Sequence, residues 1–318
     1  MWSGDWRIDA AALLVAIVVD LVIGEAPPSL HPVVWMGRLI AWIEGLSPGP
    51  DRRLASLVAG AGMAVLVPAA AGGLAWLAAA GLRELGSIVY VAAGSVLLST
   101  TFAVRELGRA ARQTQRAMEA GDGAGARRSL RSLVSRDTRT LGPPLVAMAA
   151  IESVAENTTD SFVGPWLAFA LFGLPGAFAY RAINTLDSMI GYRGRYEHLG
   201  KAAARLDDLV NLIPARLSAL LMLVAGRLLC GLPAARGWRI AMRDRGLTES
   251  PNAGWTISTA SGLLGVALEK TGHYRIGDGL RDPVPADVGA AVRLAVAVGG
   301  TAVPVLVAVM ALRGGVSW

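Results

Sequence analysis

Four strongly apolar stretches of this chain carry no charged residue: 54–82, 85–104, 161–180 and 294–312. A bilayer core needs about 20 apolar residues of α-helix to cross it. Lipid offers no partner to a bare N–H or C=O, so runs of this kind must be helical. The sequence therefore predicts an all-α, polytopic integral membrane protein with about four to six membrane-embedded helices. Its polar loops are expected in the cytoplasm, and some segments are expected to re-enter rather than cross. Only 17% of residues are charged and 53% are hydrophobic, too little charge to cover a soluble fold of 318 residues. Abundant Ala and Gly suit helices packed closely in lipid.

Between the first two runs stand only Arg83 and Glu84, flanked by Gly81 and Gly86. That pattern predicts a tight helical hairpin. Three further segments read as membrane-dipping, interfacial or cavity-facing helices: 10–24 with Asp20, 209–232 with Pro214, Arg216 and Arg227, and 250–268, rich in Ser, Thr and Gly. The run Ala10–Val19 is closed by Asp20, has only Arg7 ahead of it and no clear cleavage motif after it, so it is not expected to be a cleavable signal peptide. With no internal repeat or low-complexity linker, residues 1–318 read as one membrane domain. The single cysteine, Cys230, lies in an apolar stretch and excludes both an intramolecular disulfide and a Cys/His metal motif.

The net charge of +6 reads as the positive-inside rule, not as nucleic-acid binding, because the arginines cluster in loops. Nine of them lie between Arg105 and Gly142, against Glu106, Glu119, Asp122 and Asp137. Arg105, Arg109, Arg112 and Arg116 recur at spacings of three and four and share one helical face. That face suits anionic headgroups or a polyanionic substrate, and the sequence leaves both open. If 161–180 and 209–232 each crossed once, the loops 181–208 and 233–249 would fall on opposite sides. Both loops look functional, so one of the two segments is expected to re-enter.

The chemistry sits in a few polar stretches. In 151–160 (IESVAENTTD), Glu152, Glu156 and Asp160 fall at i, i+4 and i+8, three carboxylates along two helical turns. Like charges at that spacing repel, so a cation, arginines or a cationic substrate should compensate them. With Asn157 beside them, these hard oxygen ligands suit Mg²⁺. In 205–211 (RLDDLVN), Asp207 and Asn211 share a face, and Asp208 could pair with Arg205 or serve the helix start. In 181–193, Asn184 and Asp187 are helical neighbours. His31 precedes a proline and should be extended; it can act as acid, base or phosphate partner. The stretch 250–254 (SPNAG) reads as a turn entering a helix. No phosphate-binding P-loop and no Rossmann glycine signature occurs, so any ATP site is unusual.

Taken together, 31–38 (HPVVWMGR), 133–138 (LVSRDT), 152–160 (ESVAENTTD), 181–189 (RAINTLDSM), 207–216 (DDLVNLIPAR) and 250–254 (SPNAG) resemble the cobalamin-biosynthesis family CobD/CbiB in content and order. One departure stands out: family members often carry Gly-Asp-Pro where this chain has Gly24-Glu25-Ala26-Pro27. The resemblance implies an inner-membrane ligase of the adenosylcobinamide-phosphate synthase type. It would join the propionate carboxylate of adenosylcobyric acid, a corrinoid, to (R)-1-amino-2-propanol or its phosphate, with ATP as co-substrate and Mg²⁺. It further implies catalytic roles for His31, Glu152, Glu156, Asp187, Asp207 and Asp208. Glu152, Glu156 and Asp160 would hold the metal. Substrate binding would fall to Arg38, Arg136, Arg139, Asn157, Asn184, Arg193, Asn211 and Asn252, with the lipid bilayer and other corrinoid-pathway membrane enzymes as partners. A UbiA-type membrane prenyltransferase and a corrinoid transporter are the rival readings. The first would want a fuller pair of Asp-rich motifs, the second an inverted repeat.

Overall fold

The computed structural model describes residues 5–315. In chain order the helices are α1 (Trp6–Val22), α2 (Pro32–Leu46), α3 (Arg53–Glu84), α4 (Ser87–Ser99), α5 (Val104–Glu119), α6 (Gly123–Leu130) and α7 (Pro143–Thr158). A π-helical turn, Thr159–Val163, leads into α8 (Gly164–Ile190). Then come α9 (Lys201–Val210), α10 (Leu212–Leu228), α11 (Ala234–Asp244) and α12 (Ala253–Leu264). A small antiparallel hairpin of β1 (Leu268–Lys270) and β2 (Tyr274–Ile276) precedes α13 (Pro285–Gly315). Four helical stretches are long and apolar enough to cross a membrane: Arg53–Glu84, Ser87–Glu119, Pro143–Ile190 and Pro285–Gly315. A fifth arises if the broken pair α9 and α10 acts as one span. The uncharged runs 54–82, 161–180 and 294–312 lie within these stretches and 85–104 begins two residues ahead of Ser87, and the chain is a multi-pass membrane protein.

The described residues fall into two compact units. The first comprises residues 5–103, 164–211 and 305–315, and the second 104–163 and 212–304.

In the first unit α3 is the mast. One of its faces is Ala, Gly and Val and is buried (Ala64, Val67, Ala71, Ala75), while Leu54, Val58, Leu66 and Leu74 are well over half exposed, as expected of a lipid-facing side. The small face allows near-contact with backbone: a Cβ on Gly60 would lie 1.9 Å from the Leu199 carbonyl oxygen, so only glycine fits. The predicted hairpin between α3 and α4 is present, with Gly86 at a φ of 110° in the turn. Buried Asp9 on α1 gathers two arginines and a tyrosine. It accepts from Arg83 Nη2 and Tyr90 Oη, each at 3.1 Å, and pairs with Arg313.

The segment 161–180, one of the two of which the sequence expects one to re-enter, is not a single crossing. α8 is interrupted at Gly173, with φ 65° and ψ −159°, a conformation open to glycine and followed by Pro175. Sixteen residues of straight helix would span about 24 Å. Yet a Cβ on Gly164 would lie 2.1 Å from Tyr180 Oη. The two halves of α8 therefore fold back on each other, and the chain returns toward the level from which it came. The second suspect segment is also broken, at Asn211 between α9 and α10.

In the second unit the arginine face of α5 forms as the spacing predicts: Arg105, Arg109, Arg112 and Arg116 are exposed, and Leu107, Ala110, Ala111 and Thr114 are buried. The Ser/Thr-rich α12 is buried on nearly every side. It tolerates this because its hydroxyls bond back to the helix, as Thr259 Oγ1 does to the Trp255 carbonyl at 2.7 Å. Gly237 of α11 and Gly262 of α12 meet backbone to backbone, a Cβ on Gly262 lying 2.8 Å from Gly237 Cα.

Candidate functional site

The acidic stretches separate into two sites, one in each unit. In the first unit the return half of α8 carries Asn184 and Asp187, and α9 carries Asp207 and Asp208, with Asn211 as its C-cap. Gly200 lets α9 start hard against the end of α8; a Cβ there would lie 1.7 Å from the Ile190 carbonyl oxygen. That close approach brings the two acidic motifs together. Asp207 lies within electrostatic range of both Asp187 and Asp208, and Asn184 stands beside it.

A hydrogen-bond chain orients the cluster. Tyr180 Oη donates to Asn211 Oδ1 at 2.6 Å, which turns the Asn211 amide so that its Nδ2 donates to Asp207 Oδ2 at 3.0 Å. Asp207 Oδ1 is buried and has no hydrogen-bond partner. A buried carboxylate oxygen left in that state is costly unless a ligand completes it. Arg181 Nη1 donates to Asn184 Oδ1 at 3.2 Å. His31 is extended, with φ −89° and ψ 113°, as its proline neighbour requires. It stands at the start of α2, which packs on α8, within electrostatic range of Arg181. Burial holds its imidazole below the ordinary value; Glu25 pulls it up and Arg181 pushes it down. Its Nδ1 is buried without a partner.

In the second unit Glu152 on α7 is bound from two sides. Arg136 Nη2 reaches its Oε2 at 3.2 Å, and the Tyr274 hydroxyl donates to the same carboxylate. Burial, and the charges of Glu152 and Glu156, push the Tyr274 phenol far up, so it stays protonated and donates. The loop bearing Arg136 is tied to α7 by Ser153 Oγ, which donates to the Leu133 carbonyl at 2.7 Å. Asn157 is engaged along its own helix, donating to the Ser153 carbonyl at 3.0 Å and accepting from Ser161 Oγ at 2.8 Å.

The expected metal trio does not assemble. Among the described residues no three His, Cys, Asp or Glu side chains stand where they could hold a metal ion between them. Glu152 already has a cation and a phenol, and the helix changes to π geometry at Thr159, one residue before Asp160. The residues thus do not fit a ready-made three-carboxylate cage for Mg²⁺.

The predicted anion-binding arginines are scattered. Arg139 is exposed and grips Asp137 at 2.7 Å, holding that carboxyl down to about 2. Arg38 and Arg193 are exposed, Arg193 in the loop after α8. Asn252 is buried and accepts from Arg216 Nη1 at 2.5 Å. Two residues that the sequence reading passed over belong to these sites. Tyr274 is far from Glu152 in sequence and is delivered by the β-hairpin. Tyr180 sits at the end of an apolar run, where it reads as a core aromatic.

The family model described as "CobD/Cbib protein" matches residues 13–295. Over 274 residues the chain is 46% identical to the cobalamin biosynthesis protein CobD of Dehalococcoides mccartyi, covering 86% of this chain and 88% of the relative. It is 40% identical to the probable cobalamin biosynthesis protein CobD of Methanothermobacter thermautotrophicus, over 85% and 87% of the two chains. It is 38% identical to the cobalamin biosynthesis protein CbiB of Salmonella choleraesuis, over 89% and 92%. No solved structure matches the chain. With a family match over most of its length and relatives this similar along nearly their whole chains, the protein belongs to the CobD/CbiB family.

Proposed function

We propose that this protein acts in cobalamin biosynthesis as an ATP-dependent ligase. It forms the amide between the propionate carboxylate of adenosylcobyric acid and (R)-1-amino-2-propanol or its phosphate. The observation that carries this reading is the cluster of Asp187, Asp207 and Asp208, with the unsatisfied Asp207 Oδ1 at its heart. A concentrated negative site with one open acceptor suits an ammonium group. Such a group must also lose a proton before it can attack, and a buried carboxylate is placed to receive it.

The chemistry has two parts. ATP transfers its γ-phosphoryl group to the propionate, giving an acyl phosphate and ADP. The amine nitrogen then attacks the acyl carbon, its proton passes to Asp207, and phosphate leaves. Asn184 and Asn211 orient the carboxylate and the amine's hydroxyl or phosphate. In the second unit, Arg136 and Tyr274 fix Glu152. Mg²⁺ enters with the nucleotide, and no step is assigned to a resident ion. The site faces the cytoplasm of the cell's inner membrane, as the arginine-rich 105–139 segment supports by the positive-inside rule.

The test is product formation by detergent-solubilised protein given adenosylcobyric acid, ATP, Mg²⁺ and each amine in turn, followed by mass. An ATP-dependent amide with one amine supports the reading and names the donor. Absence of product with both, from folded protein, returns the transporter or the prenyltransferase.

His31 gives a pH signature. A histidine whose value is lowered by burial stays neutral above that value, and protonation enters only as pH falls through it. The acid limb of the kcat/KM profile that reports His31 should therefore lie below its ordinary 6.5 and vanish in His31→Gln. A limb centred above 6.5 and lost in that variant would contradict the burial. The same sign makes folding stability fall on acidification, since the unfolded chain binds the proton first.

A further inference from the structure

α12 has its charges reversed at one end. Cations are favoured at a helix C-terminus and disfavoured at the N-terminus. At the C-terminal end the rule is obeyed: Arg236 Nε donates to the Gly262 carbonyl at 2.7 Å and its Nη2 to the Leu263 carbonyl at 3.2 Å. At the N-terminal end stand two more arginines. Arg216 and Arg245 both lie on the indole of Trp255, their guanidinium carbons 5.2 and 5.0 Å from the ring centroid. They are near enough to repel each other.

Every polar partner of the two is neutral. Arg216 donates to Asn252 Oδ1 at 2.5 Å, to the Leu212 carbonyl at 3.0 Å and to the Pro251 carbonyl at 3.3 Å. Arg245 donates to the Met242 carbonyl at 2.7 Å and meets Met242 Sδ at 3.5 Å. Among the described residues neither meets a carboxylate. The adjacent acid, Asp244, is held by Arg243, and Glu249 faces His273 Nδ1 at 3.6 Å. Several other arginines of this chain are matched with acids: Arg83 and Arg313 with Asp9, Arg136 with Glu152, Arg243 with Asp244, Arg281 with Asp287. Asn252, the N-cap, does not cap α12 with its side chain, which is turned to Arg216 instead.

Two guanidinium forks on one aromatic plate, at the positive end of a helix and without an acid, form an anion seat. We propose that Arg216, Arg245 and Trp255 at the start of α12 bind a phosphate group of a soluble ligand, of the polyphosphate or phosphate-ester class. Planar forks match such oxyanions, and the helix start adds favourable dipoles. This deepens the ligase reading by giving its phosphate-bearing substrate a seat. It is tested by binding alone, so it can fail while amide synthesis stands, and the converse.

The probe is tripolyphosphate, titrated calorimetrically into the intact protein in detergent. Wild type is expected to bind, and Arg216→Gln and Arg245→Gln each to weaken binding at least tenfold with unchanged melting of the unliganded protein. Unchanged affinity in both variants overturns the proposal. Vesicles of phosphatidylglycerol and phosphatidylcholine separate the sources: Arg-dependent binding to phosphatidylglycerol with none to tripolyphosphate assigns the seat to lipid and also overturns it. Should the glutamine variants misfold, Trp255→Phe supplies the second readout. The chain has nine tryptophans, and the tripolyphosphate-induced fluorescence change must come from Trp255. Its disappearance in Trp255→Phe, with binding kept, supports the seat; its persistence refutes it.

Discussion

Asp207→Asn is expected to lower turnover about 100- to 10,000-fold at saturating amine, the range of a lost general base, with the fold intact. The substitution keeps the shape of the side chain and its place beside Asn211, whose amide donates to Asp207 Oδ2 in the native site. It removes the charge and the basic oxygen. If Asp207 takes the amine's proton, kcat should fall more than KM for the amine rises, and raising the pH should recover part of the rate as more of the amine arrives deprotonated. Asp208→Asn, which alters the field without removing the acceptor, is expected to cost less. A wild-type kcat in Asp207→Asn would mean that the cluster only binds, or that the amine is handled elsewhere.

The second large effect is on stability. Asp9 is 1% exposed and meets Arg83, Tyr90 and Arg313. It joins α1, α3, α4 and the end of α13 inside the first unit. Removing one partner of a buried ion pair leaves an uncompensated charge, at a cost of about 3–5 kcal/mol. Asp9→Ala strands two guanidinium groups at once, among helices whose other faces meet lipid. Melting of the purified protein in detergent should drop markedly, and Asp9→Asn, which keeps hydrogen-bond acceptance, should fall between the two. A melting temperature equal to wild type in Asp9→Ala would show that the network adds nothing to the fold.

What could be read from sequence was local. Four uncharged runs were enough for the membrane helices, because the bilayer imposes a length and forbids charge. The arginine face of α5 was readable because its partners are three and four residues apart. The break at Gly173 was not: a glycine followed by a nearby proline inside an apolar run is common in membrane helices, and only the positive φ makes it a hairpin. The carboxylate spacing of 152–160 was readable as one acidic stretch, but the three carboxylates do not come together as a metal-holding group among the described residues. The groups that answer Glu152, Arg136 and Tyr274, come from a loop and a strand that helical periodicity cannot see. In the same way, Asp207 and Asp187 were each singled out, yet their meeting depends on Gly200 admitting α9 against the end of α8. Arg216 was noted only as part of its stretch and Arg245 not at all, because an arginine's significance here lies in lacking an acid, which sequence does not show.

In the proposed reaction ATP activates the propionate as an acyl phosphate, which the amine then attacks. The most direct test is the fate of the carboxylate oxygen. Adenosylcobyric acid labelled with ¹⁸O in the propionate is turned over with unlabelled ATP and aminopropanol or its phosphate, and the released phosphate is analysed by mass. The account predicts one ¹⁸O in phosphate for each amide formed, and ADP as the other product. Amide formed with no label in phosphate, or formed without ATP, would contradict it.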